Sequence, residues 1–182
     1  NTVTMREDTT IPRPYSPYGV TKLAAEHLVG LYHRNYRLPA AALRFFTVYG
    51  PRQRPDMAFH KFILAGLKGE PITVFGNGQQ TRDFTYVGDL VDGLRKAETR
   101  TKGEVFNLGG GNRVSLNDTL GILEAVMDTE LEVVHEDVQR GDVRDTWAAT
   151  DDARRFLDWN PTTTLKEGLT KELEWIKRAY AQ

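Results

Sequence analysis

The sequence predicts an α/β fold in which part of a doubly wound parallel sheet is joined to a smaller α/β lobe. Helical stripes, with apolar residues three and four apart, alternate along the chain with apolar runs too short to be helices. Those runs are nearly continuous rather than alternating, as expected of strands covered on both faces. Most end at a glycine-rich break: Tyr49-Gly50-Pro51, Gly76-Asn77-Gly78 or Gly109-Gly110-Gly111.

The elements follow in order. Ser16 as cap and Pro17 at the first helical position open a helix running to about Tyr36, with Val20, Leu23, Ala24, Leu28 and Leu31 as its expected buried face. Ala40 to Phe46 reads as a buried parallel strand ended by Thr47, so helix and strand together form half of a βαβ unit. Met57 to Leu67 is predicted helical and Ile72 to Phe75 a strand; Arg82 to Val87 is extended and Asp89 to Ala97 helical. Val105 to Leu108 is a second buried strand. The glycine run after it reads as a turn into a helix capped by Ser115, with Asp118 completing a variant capping box and Leu120, Leu123 and Val126 facing inward. Leu131 to His135 is a strand. Thr164 with Glu167 caps a final helix carrying Leu165, Leu169, Leu173 and Ile176.

Composition narrows the functional classes. The 182 residues are 40% hydrophobic, enough for one ordinary core or two partial ones. The 24 basic and 25 acidic residues nearly cancel, leaving no long-range field to recruit nucleic acid or an anionic membrane. The absence of Cys excludes disulfides, thiol catalysis and thiolate metal sites, and fits a cytoplasmic location. No apolar run approaches the length of a membrane span. The four histidines, His27, His33, His60 and His135, lack metal-ligand spacing, so no metal is expected. The opening Asn1-Thr2-Val3-Thr4 is no initiator and reads as the edge of a fragment.

Tyr18 and Lys22 stand four residues apart on the first helix, so their side chains share a face and can meet one small substrate. A phenol with a pKa near 10 becomes a base at neutral pH only if its anion is stabilised by about 4 kcal/mol. The Lys22 ammonium and the positive end of the helix both act in that direction. Spacing alone is weak support, because chance produces about 0.3 such pairs in a chain of this composition. The capped helix start, Gly19 beside the Tyr and the strand that follows strengthen the pairing.

Five strings resemble, in order, the extended short-chain dehydrogenases that epimerise, dehydrate or decarboxylate nucleotide sugars. They are SPYGVTK from Ser16, LRFFTVYGPRQRPDMA from Leu43, GNGQQTRDFTYVGDL from Gly76, VFNLGGG from Val105 and GDVRDTWA from Gly141. The resemblance spans nearly the whole chain. It implies a Rossmann-type sheet with its amino-terminal half absent, residues 1–50 being its remnant. Residues 51–182 then form mainly the sugar-nucleotide lobe, with 82–110 returning to the sheet. The family's glycine-rich dinucleotide loop and the upstream Ser or Thr that assists the Tyr are missing, and Gly109-Gly110-Gly111 does not replace the loop.

The same resemblance implies residue roles. Tyr18 is the catalytic base and Lys22 holds its pKa down while binding the nicotinamide ribose of NAD; Phe45 and Phe46 pass beside the nicotinamide. Arg82 matches the diphosphate-binding arginine, Phe75 lies against a pyrimidine, and Asp142 contacts the ribose or base with Arg140 beside it. Lys61 either contacts the nucleotide or is a surface lysine. Phe75 equally suits plain core, and Arg82-Asp83 a local surface pair. Thr47 with RPDMA resembles the UDP-glucuronate 4-epimerases, in which Arg54 and the Thr47 hydroxyl would clamp the sugar carboxylate.

The expected activity is therefore NAD-dependent 4-epimerisation of a UDP-sugar, UDP-glucuronate foremost, with UDP-glucose and UDP-N-acetylglucosamine as further candidates. A UDP-glucuronate decarboxylase or a sugar dehydratase is the alternative within the family. A cofactor-free sugar-nucleotide-binding module is the alternative of another class. By resemblance, full-length relatives form homodimers through a four-helix bundle, to which Leu28, Leu31 and Tyr32 could contribute here.

Overall fold

The computed structural model describes residues 4–99, 102–111, 113–138 and 143–180. Helix α1 (Pro17–Tyr36) begins where the Ser16 hydroxyl oxygen accepts the Gly19 N–H at 3.2 Å, and ends at Arg37, in the left-handed region at φ 57°. Its polar flank is pinned to strand β1 (Ala42–Phe45) by a bidentate pair: Arg44 donates from Nε and Nη2 to the two Glu26 oxygens, each at 2.7 Å. That guanidinium holds the Glu26 carboxyl below its usual range, against the opposing effect of burial.

The expected buried face of α1 is not buried. Val20 is 56% exposed, Leu28 54% and Leu31 41%, and none of the helix's described residues is fully covered. The apolar stripe is present, with Leu23 half-buried, but among the described residues it is only partly covered.

Strand β1 runs parallel to β5 (Val105–Leu108), with Ala42 opposite Val105 and Phe45 opposite Leu108. The apolar run does not stop at Thr47, however. After Phe46 the chain crosses to a second sheet as β2 (Thr47–Tyr49), parallel to β4 (Thr81–Tyr86). Burial of the Tyr49 ring drives the crossing: it is 1% exposed, edge-on to Phe59 and Phe84, and its hydroxyl donates to the Thr164 carbonyl at 3.2 Å. Strand β4 also pairs, antiparallel, with β6 (Arg113–Ser115), a strand the sequence reading missed. A third sheet joins β3 (Ile72–Phe75) in parallel to β7 (Val133–Glu136), whose start lies two residues later than Leu131.

The remaining helices are α2 (Ala58–Lys68), α3 (Val87–Glu98), α4 (Leu116–Met127), α5 (Asp151–Leu157) and α6 (Leu165–Tyr180). Helix α5 was not anticipated. Helix α6 buries Leu165, Leu169, Leu173 and Ile176 as its spacing predicts. At its start the Thr164 N–H donates to Glu167 at 2.9 Å, while the Glu167 N–H donates to the Thr164 hydroxyl at 3.2 Å.

Two hydrophobic clusters result. One gathers Tyr49, Phe59, Ile63, Val74, Leu123 and Leu169; the other gathers Leu90, Phe106, Leu108, Leu157 and Trp159 beneath Leu43 and Val48. Asp83 links them. It is fully buried rather than a surface partner of Arg82, and accepts the N–H groups of Gly111 and Ala148, each at 3.0 Å. Those backbone bonds partly offset the burial that raises its pKa. The glycine run passes beneath β4 so closely that a Cβ on Gly110 would stand 1.8 Å from the Phe84 carbonyl oxygen. It leads into β6, and only then into α4, instead of turning straight into a helix.

Candidate functional site

Tyr18 and Lys22 project from the first turns of α1 on one face, the Lys22 ammonium 5.4 Å from the centre of the Tyr18 ring. Tyr18 is 70% exposed. Phe45, at the end of β1, is also exposed, and Phe46 is half-buried as the chain leaves for the second sheet. Tyr18 and Phe45 are thus both accessible to solvent, on α1 and at the end of β1.

One step further along the chain, Thr47 enters a cleft of about 760 Å³. The cleft brings together residues far apart in sequence: Thr47 of β2, Lys61 of α2, Phe75 of β3 and Arg82 of β4. Its apolar wall is completed by Phe62, Val74, Phe84 and Leu116. Its charged lining is Lys61 and Arg82 with the carboxylates of Asp56, Glu70 and Glu136; an apolar wall beside two cations suits a planar base attached to phosphates. Arg82 donates from Nη1 to the carbonyls of Thr81 at 3.0 Å and Arg144 at 2.9 Å, which fixes its stem and ties β4 to the segment around Arg144. Arg140 and Asp142 lie outside the described residues.

Arg54 sits on the loop between β2 and α2, paired with Asp56, which lines the cleft. Its guanidinium is already engaged, donating to both oxygens of Asp56, from Nε at 3.0 Å and from Nη2 at 2.7 Å. Asp56 holds the Arg54 pKa above its usual value, and the field of the Tyr18 side chain adds to the same effect. The loop bearing Arg54 is thus within electrostatic reach of the residue expected to act as base. Asp56 itself lines the cleft and was not singled out from the sequence, although it stands two residues beyond Arg54. Glu136, opposite Phe75 in the β3–β7 register, and Gln80, whose amide donates to the Phe75 carbonyl at 2.9 Å, are further cleft residues the sequence reading passed over.

His60, next to Lys61, is fully buried. Its Nδ1 lies 3.0 Å from the Gln53 carbonyl and its Nε2 3.0 Å from the Tyr180 hydroxyl. The carbonyl can only accept, so Nδ1 carries the proton and Nε2 accepts from Tyr180, which makes this a packed histidine that steadies the Arg54 loop. Among the described residues no group of three or more His, Asp or Glu side chains is placed to hold a metal ion. Nor, among them, is any helix long and apolar enough to cross a membrane.

The geometry defines an α/β protein in which a Tyr–Lys helix and parallel strands of the dinucleotide-binding kind adjoin a cleft suited to a phosphorylated nucleoside. The chain belongs to the NAD dependent epimerase/dehydratase family, whose model matches residues 2–109. It is 43% identical over 169 residues to a Bacillus subtilis protein described as an uncharacterized UDP-glucose epimerase, YtcB, covering 92% of this chain and 54% of that protein. It is 39% identical over 172 residues to the UDP-glucuronate 4-epimerase of Thermodesulfobacterium geofontis, covering 94% and 53%. Among solved structures, the UDP-glucuronic acid 4-epimerase of Bacillus cereus in complex with UDP-glucuronic acid and NAD superposes with a TM-score of 0.93. That match has 43% identity and covers 99% of this chain and 58% of the other. The chain spans about half the length of the curated relatives it matches.

Proposed function

We propose that this chain carries the catalytic base and the sugar-nucleotide cleft of an NAD-dependent 4-epimerase, with UDP-glucuronate as substrate and UDP-galacturonate as product. The observation that carries the reading is the single cleft in which Thr47, Lys61, Phe75 and Arg82 meet beside the Arg54 loop. The names of the relatives point the same way, two of the three being UDP-glucuronate or UDP-glucuronic acid 4-epimerases and none a decarboxylase or dehydratase.

In this reading residues 1–50 and the return at 82–110 belong to the dinucleotide-binding half, and 51–182 mainly to the sugar-nucleotide lobe. The separation of the two hydrophobic clusters supports that division. Phe75 lies against the uracil. Lys61 and Arg82 face the diphosphate, joined by Arg140, while Asp142 contacts the ribose or base. The residues present suit the nicotinamide end of NAD, since Lys22 stands over the accessible Tyr18 ring and Phe45 is exposed at the end of β1. When bound, NAD accepts the hydride of carbon 4 and gives it back to the opposite face. Tyr18 removes the proton of the 4-hydroxyl and later returns it, with the Lys22 ammonium 5.4 Å from the centre of its ring.

Arg54 and the Thr47 hydroxyl hold the sugar carboxylate. A 4-keto uronate is a β-keto acid, which loses carbon dioxide when its carboxylate stands perpendicular to the ketone. Holding the carboxylate near the carbonyl plane suppresses that loss. A cofactor-free binding module has no use for an activated phenol, and the Tyr18–Lys22 pairing disfavours it. The exposed stripe of α1, with Leu28, Leu31 and Tyr32, supports a homodimer built on that helix.

The test is product analysis. The complete reading frame that encodes this chain is incubated with UDP-glucuronate and NAD, and the nucleotide sugars are separated. UDP-galacturonate is expected; UDP-xylose or a 4-keto pentose as main product would move the protein to the decarboxylases. The 182-residue chain alone, without a glycine-rich NAD loop, is expected to bind the sugar nucleotide and not to turn it over.

A further inference from the structure

Asp56 occupies a position that the proposed function leaves unexplained. It lines the cleft with Thr47 and Lys61, and both of its oxygens are engaged by the same two edges of Arg54 that a guanidinium presents to any planar carboxylate. Both partners are solvent-exposed, at 74% and 63% for the side chains of Arg54 and Asp56, so the pair is weak and exchangeable rather than structural.

A second resting place for Asp56 is built in beside the first. The residue immediately precedes Met57, the cap of α2. Lys61, in the first turn of the helix, already contributes to the field that lowers the Asp56 pKa, after the dominant Arg54 hydrogen bond. Moving from Arg54 toward Lys61 keeps a cation beside the Asp56 charge.

We propose that Asp56 is a resident counter-carboxylate: it occupies both bonds of the Arg54 fork and is exchanged for the carboxylate of an acidic sugar nucleotide, which makes Asp56 a specificity-determining residue. The inference rests on the sugar-nucleotide reading of the cleft. A neutral hexose offers nothing to exchange and leaves Arg54 with Asp56. A uronate takes both bonds of the fork, at the cost of displacing a carboxylate of equal charge.

The test is equilibrium binding of UDP, UDP-glucose and UDP-glucuronate to the protein by calorimetry. Asp56→Asn should raise the ratio of UDP-glucuronate to UDP-glucose affinity about fivefold, the scale of an exposed ion pair. Thermal unfolding unchanged from the unaltered protein reports that the variant is folded, and the ratio cancels any effect common to both sugar nucleotides. Asp56→Glu, which can still pair, should restore a ratio near that of the unaltered protein. In an Arg54→Ala background Asp56→Asn should leave the ratio unchanged, because the two residues act through one contact. The gain should shrink at high salt. An unchanged ratio in Asp56→Asn, or an equal change with Arg54 absent, overturns this inference and leaves the cleft's assignment standing. Failure of the unaltered protein to bind any of the three nucleotides overturns the assignment and the inference together.

Discussion

Replacing Glu172 by Gln should make the protein more stable at neutral pH, and the size of the gain should depend on pH. Glu172 lies on the inner face of α6 with no exposed surface. One carboxyl oxygen accepts the Gly50 N–H at 2.8 Å, while Oε1 has no partner among the described residues. Burial pushes its pKa from 4.5 to about 8, only partly opposed by the Gly50 bond. Between those two values the folded protein holds a proton that the unfolded chain releases. Stability therefore falls as pH rises from 4.5 toward 8 and levels off above. At pH 7 the accumulated cost is about 3 kcal/mol, from roughly 1.4 kcal/mol per pH unit. Glutamine keeps a carbonyl for Gly50 and stays neutral throughout. Its amide leaves a donor where Oε1 now stands, a penalty of about 1–3 kcal/mol that does not vary with pH. The diagnostic is therefore the slope. Urea unfolding of both proteins at pH 5, 6, 7 and 8 should show the difference moving in favour of Glu172→Gln by about 1 kcal/mol per unit. A difference that stays flat across that range would refute the assignment of a neutral Glu172.

Other perturbations test other parts of the molecule. Gly110→Ala forces a Cβ against the Phe84 carbonyl and should cost several kcal/mol, or the fold itself, in thermal denaturation. Thr164→Ala removes one half of the α6 capping box and should lower stability by about 1 kcal/mol in the same assay. Tyr18→Phe in the complete enzyme should abolish turnover while leaving UDP-sugar affinity within about twofold, because the phenol is needed for proton transfer and not for holding the nucleotide. Arg54→Ala should raise the ratio of decarboxylated pentose to epimer, read by separating the products; an unchanged ratio would remove the carboxylate clamp from the mechanism.

Helix α6 and helix α1 mark the boundary between what could and could not be read in advance. The buried face of α6 and its capping box were legible because both are set by residues three and four apart, whose geometry a helix fixes by itself. The stripe on α1 was equally legible as a pattern, but a pattern specifies a face and not what covers it; among the described residues it is only partly covered. The crossing at Phe46 was hidden for a related reason. An apolar run looks the same whether it stays in one sheet or passes to a second, and the Tyr49 ring decides that by packing on Phe59 and Phe84 from other elements.

The candidate site divides in the same way. The sequence alone determined the alternation of helices and strands, the Tyr18–Lys22 pairing on one helical face and the exclusion of thiol chemistry, all of which rest on local spacing or composition. Only the tertiary structure decided that Thr47, Lys61, Phe75 and Arg82 share one cleft, that Asp83 is a buried hub and not a surface partner, and that Arg54 is held by Asp56. Each of these depends on the pairing of distant strands or the path of a loop. Such contacts are selected by the summed packing of the whole chain, which no short window of sequence contains.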